Sequence, residues 1–67
     1  MMNSTSKVRR ILEKDGKTLV SFDAHDAYFT APPAVADMLR HAEALGLTVH
    51  FSYDINMVIH GVVGHGD

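Results

Sequence analysis

The sequence predicts an α+β domain of order β-β-(β)-α-β-β, an antiparallel sheet of four or five strands with one amphipathic helix on one face. Three observations carry this prediction. Pro33–Leu45, PAVADMLRHAEAL, is the one stretch whose apolar residues recur with the period of an α-helix. Asp15-Gly16 separates two runs of strand character. Residues 47–54 alternate between apolar and polar side chains, and 57–63 form a second such run beyond Asn56.

The elements follow in order from local chemistry. Residues 1–6 are small and polar, expected as a disordered tail ahead of a single domain over 7–64, with 65–67 as a frayed C-terminus. Asp15 and Gly16 suit the two positive-φ positions of a type I′ turn. The resulting hairpin sets Glu13 against Thr18, Leu12 against Leu19, Ile11 against Val20, Arg10 against Ser21 and Arg9 against Phe22. Residues 23–30 form a loop ending in a possible short third strand.

Ala31 and Pro32 each precede a proline, which disfavours helical backbone, so Pro33 is the first residue free to be helical and serves as N1. No Ser, Thr, Asp or Asn occupies the cap position, although Thr30 is near enough to reach a free N–H. Gly46 is the natural left-handed residue after the last turn. Met38, Leu39, Ala42 and Leu45 fall within about 120° of arc from Val35, defining one stripe to bury, and Asp37 with His41 makes a surface pair. After the helix, a three-residue loop at 54–56 would set Tyr53 against Met57, Phe51 against Ile59 and Val49 against Gly61. The helix then covers Ile11, Val20, Phe22, Val49, Phe51 and Ile59. A small open barrel of the oligonucleotide-binding type also places its helix between the third and fourth strands, and is the alternative architecture.

At 67 residues the chain is one domain with a thin margin, burying only about 60% of its unfolded surface. It contains no cysteine, so disulfides and thiolate metal sites are closed to it, as fits a reducing compartment. With no apolar leader or span, a cytoplasmic location away from membranes is expected. The formal charge of −2 is uneven: Lys7, Arg9, Arg10, Lys14 and Lys17, five of the six basic residues, all lie in the first 17 positions.

One helix covers one sheet face and leaves the other. Leu12, Leu19, Val58 and Val62 are expected there among polar residues, a composition suited to a subunit interface, and burying each would contribute about 1.5–3 kcal/mol before the cost of association. His50 and His60, opposite each other in the expected register at about 5 Å between Cβ atoms, would join that interface and weaken it on protonation near pH 6. The same pair with His25 is the candidate metal set. Asp26, Asp54 and His65 are the further donors, but no spacing ties them to the pair, so neither metal nor other cofactor is expected.

His25-Asp26 has the composition of an acid–base pair, yet adjacent residues seldom meet that way and no nucleophile elbow is present. Catalysis is not expected. Arg9, Arg10, Lys14 and Lys17 accompany Phe22, Tyr28 and Phe29, the mixture of a weak single-strand nucleic-acid binder, which the net negative charge and the need for Phe22 in the core disfavour. Tyr28 and Phe29 mark the expected ligand pocket. The leading expectation is therefore a non-enzymatic module that homo-oligomerises through the helix-free face and binds a small molecule or protein. A ligand- or metal-binding protein, or a minimal enzyme, using the sheet histidines is the alternative.

Overall fold

The computed structural model describes residues 1–65, as β1 (Met2–Lys14), β2 (Lys17–Phe22), β3 (Tyr28–Ala31), α1 (Pro33–Leu45), β4 (Thr48–Tyr53) and β5 (Ile59–His65). The strands form one antiparallel sheet in the order β3-β2-β1-β4-β5, the α+β arrangement expected from the sequence. Of the frayed terminus expected at 65–67, residues 66 and 67 and the His65 side chain lie outside the described residues.

Asp15 (φ 53°) and Gly16 (φ 76°) turn β1 into β2, as the Asp-Gly pair requires. From Arg10 to Lys14 the register is the expected one, with Leu12 opposite Leu19 and Ile11 opposite Val20. Beyond that the strand departs from expectation twice. Val8, not Arg9, pairs with Phe22, because Arg9 is the extra residue of a β-bulge. Residues 2–6, part of the tail expected at 1–6, instead pair with β4 together with Lys7, from Met2 opposite Tyr53 to Lys7 opposite Thr48. The bulge corrects the parity of the strand. Val8 and Ile11 both pack against the core although they are three residues apart, and a regular strand would turn one of them outward.

The core lies between the sheet and α1. Val20, Phe22, Val49, Phe51 and Ile59 are buried as expected, and Phe29 and Ala31 of β3 join them. Phe22 and Phe51 stack at 4.0 Å between ring centroids, with Phe29 edge-on to both. On α1 the inward residues are Ala36, Leu39 and Ala42, with Met38 and Leu45 exposed, so the buried stripe is rotated from the expected one toward small side chains. Small residues let a short helix lie close to a curved sheet. No side chain caps its N-terminus, while Gly46 (φ 67°) ends it with Leu47 N–H donating to Ala42. Asp37 pairs with Arg40 at 3.2 Å rather than with His41, and Arg40 also pairs with Glu13, tying the helix to β1.

The return from β4 to β5 also differs from expectation. Tyr53 pairs with Ile59, not Met57, and Asp54 organises the longer loop, accepting through Oδ1 from Asn56 N–H (2.9 Å) and Val58 N–H (3.2 Å). Met57 takes a left-handed φ of 62°. Between Ile59 and Gly61 a second bulge makes His60 the extra residue, so Phe51 pairs with Val62, Val49 with Gly64 and His50 with Val63. His50 and His60 are therefore not opposite each other. Val62 turns inward against the core and leaves the helix-free face.

The two edge strands touch where Thr30 forms an isolated parallel bridge with Val58 and its N–H donates to Met57 at 2.8 Å. Among the described residues this is the one bridge between the edges, and the sheet is otherwise open.

Candidate binding surface

The residues singled out in the sequence fall into four places. Beyond the Arg9 bulge, the outward positions are Arg10, Leu12 and Lys14 on β1, Lys17, Leu19 and Ser21 on β2, and Tyr28 and Thr30 on β3, alternating with the buried Val20, Phe22, Phe29 and Ala31. The pairing arranges them in rows. Arg10, Ser21 and Tyr28 form one row, and Leu12, Leu19 and Thr30 a second that the bridge extends to Val58. Lys14 and Lys17 form the third, beside the turn.

Three of the four expected interface aliphatics thus share one row. The fourth, Val62, is the inward residue described above. Leu12 is 38% exposed and Tyr28 42%, whereas Phe22 and Phe29 are fully buried. Tyr28 and Phe29 point to opposite faces of β3, so the two rings do not line a common pocket.

Charge is sorted across these strands. Glu13 is the one carboxylate on β1, β2 and β3, and it faces inward to Thr18 and Arg40. The Thr18 hydroxyl, then Arg40, hold its carboxyl below the usual carboxylate range. Outward stand Arg10, Lys14 and Lys17, with Lys7 further along β1 opposite Thr48. Arg9 at the bulge is paired with Asp23 at 3.3 Å, and its guanidinium also donates to the Asp23 carbonyl.

The second place is a depression of about 360 Å³ on the outer side of β1, β4 and β5, lined by Asn3, Thr5, His50, Ser52, Gly61 and Val63 among others. His50 Nδ1 lies 2.7 Å from the Thr5 hydroxyl there. The third is the opposite side of β1, where Ser4 Oγ is 2.8 Å from His25 Nε2 and the His25 ring stands edge-on to Phe29, Phe51 and Tyr53. This serine–histidine contact was not legible in the sequence, because residues 1–6 carry no strand pattern to position Ser4. At the fourth, His60 Nε2 pairs with Asp54 Oδ2 at 2.7 Å, and that bond together with the Val58 N–H lowers the Asp54 carboxyl below its usual range.

His25, His50 and His60, the candidate metal set, are thus held by three different partners in three places. Among the described residues no group of three or more histidines, aspartates or glutamates could hold a metal ion. Among the described residues, too, no helix is long and apolar enough to cross a membrane. No family model, curated protein or solved structure matches the chain.

Proposed function

We propose that this chain is a non-enzymatic binding module whose working surface is the outer face of β1, β2 and β3, and that the partner it takes is anionic. The single observation that carries the reading is the sorting of charge. Arg10, Lys14 and Lys17 stand outward among Leu12, Leu19 and Tyr28, while Glu13, itself exposed, lies on the helix side and pairs with Arg40. Three outward cations against the single turn carboxylate of Asp15 leave a net positive patch, which produces a local field whatever the net charge of the molecule. Retention on a sulfated polysaccharide column checks this. The wild type should bind at 50 mM salt and elute as salt rises, and the triple change Arg10→Glu, Lys14→Glu and Lys17→Glu should abolish retention while leaving the circular dichroism unchanged. Equal retention of the variant would remove the reading.

Homo-oligomerisation through the same face is a second reading, favoured by the row Leu12, Leu19, Thr30 and Val58. An isologous contact would bring both copies' Arg10, Lys14 and Lys17 together, so raising salt should strengthen it, whereas salt weakens binding of an anionic partner. Light scattering at 50 and 500 mM salt separates the two, and Leu12→Asp with Val58→Asp should yield monomers. Assembly that survives that double change would end the second reading.

A further inference from the structure

The anionic partner can be narrowed by the shape and chemistry of the patch. Its cations form a line. Lys7, Arg10 and Lys14 follow one another along β1 across the Arg9 bulge, about 20 Å at 3.3 Å per regularly paired residue, with Lys17 beside the last of them. A line of that length matches an extended polyanion and not a single phosphate or carboxylate, which a compact cluster would hold.

Beside the line the surface is apolar and aromatic. Tyr28 stands in the row of Arg10 with the small Ser21 between them, and Leu12, Leu19 and Thr30 form the adjoining row. Polyphosphate has nothing to set against these side chains, and a sulfated polysaccharide offers only the puckered C–H faces of its sugar rings. A nucleic acid offers more, because every base presents a flat apolar face that stacks on an aromatic ring, with arginine contributing. Duplex bases are already stacked on one another and offer Tyr28 no free face.

We infer that the partner is single-stranded nucleic acid, its phosphates following Lys7, Arg10, Lys14 and Lys17 and one base lying on Tyr28. This rests on the binding-module reading above. Four of the eight carboxylates are engaged elsewhere, since Glu13 and Asp37 pair with Arg40 on the helix side, Asp23 pairs with Arg9 and Asp54 holds the β4–β5 loop, while Asp15 in the turn is the carboxylate nearest Lys14 and Lys17.

Fluorescence anisotropy with a labelled 12-nucleotide deoxythymidine strand is the direct test, run beside a duplex of equal length, inorganic polyphosphate and polyglutamate. With three or four phosphates engaged, affinity for the single strand should fall about 20- to 50-fold between 50 and 200 mM salt. Tyr28→Ala should weaken binding about 5- to 150-fold and Tyr28→Phe should retain it. Tyr28 is half-exposed on an edge strand, so a far-ultraviolet spectrum confirms folding of both variants.

If Tyr28→Ala binds as the wild type does, or if duplex and polyphosphate bind as tightly as the single strand, base stacking is absent and the inference fails while the polyanion surface stands. Binding of polyglutamate alone would point to an acidic protein and overturn the nucleic-acid assignment. Silence with all four probes would overturn both readings.

Discussion

The two halves of β1 form ladders of similar length and differ in almost everything else. Before the bulge at Arg9, residues 2–8 are mostly small and polar, pair chiefly with β4, and place buried Ser6 and half-buried Ser4 on the core side. After it, Arg10 to Lys14 pair with β2, place Ile11 on the core side and line the outer side with cations and Leu12. The first half depends on its surroundings. Ser6 Oγ accepts the Ala24 N–H at 3.0 Å and donates to the Lys7 carbonyl, and Ser4 meets His25. The second half carries its own instructions, a turn and an alternation. One strand thus joins a segment ordered by long-range contacts to one ordered locally, and the joint is a single inserted residue.

The largest expected effect comes from removing the joint. Deleting Arg9 takes out the bulge, so one half must present its core residues to water, and a domain of this size should lose cooperative folding. Replacing Arg9 by alanine removes an exposed ion pair with Asp23 and an exposed hydrogen bond to its carbonyl, and should cost about 0–1 kcal/mol. Thermal melts of the two variants check this, and near-equal melts would show that the bulge does not set the parity.

Phe51 lies opposite Ser4 and stacks on Phe22, serving both halves, so Phe51→Ala should cost about 3–5 kcal/mol by urea titration. Ser6→Ala leaves the Ala24 N–H without its acceptor and should cost about 1–3 kcal/mol, against a few tenths for Lys14→Ala in the other half. Equal losses at positions 6 and 14 would erase the contrast between the halves.

Acid probes both ends at once. Asp54 and Glu13 are both held below their ordinary values, 3.8 and 4.5, in the folded chain. A depressed carboxyl contributes stability that is fully present above its unfolded value and is lost as pH falls through its folded value. Melting temperature should therefore fall as pH drops below about 4.5, and Asp54→Asn should flatten part of that fall. A variant with the wild-type acid profile would mean that the Asp54 contacts do not persist in solution.

Legibility followed the same division. The Asp15-Gly16 turn, Pro33 at the helix start, Gly46 at its end and the buried face of Phe22, Val49 and Phe51 were each written in local chemistry, and the structure has them there. Asn3, Ser4, Thr5 and Ser6 have no apolar alternation, and only Thr5 has strand propensity, so the pairing with β4 is what makes them a strand. The bulges at Arg9 and His60 were invisible for a related reason, since each is an accommodation between strands and leaves no mark in either alone. The surface was half legible. Alternation puts Leu12, Leu19 and Val58 on the outer face and they lie in one row of it, whereas the parity change at His60 turns Val62 inward and separates His50 from His60. Adjacency in the sequence groups Tyr28 with Phe29, and alternation along β3 parts them.

The pairing of residues 2–7 with 48–53 also bears on how the chain acquires its structure during synthesis. The β1–β2 hairpin closes over a two-residue turn and can form as soon as both strands leave the ribosome. The first half of β1 must wait more than forty residues for its partner, and closing so long a loop is the slow step in β topologies. During that interval a short polar strand with open backbone groups precedes an already formed hairpin. Its serines, threonine and asparagine make it a poor template for pairing with other nascent chains, because the five polar residues from Asn3 to Lys7 bury little when they associate. The composition that hides this strand from a reader of the sequence also keeps it out of aggregates while it waits.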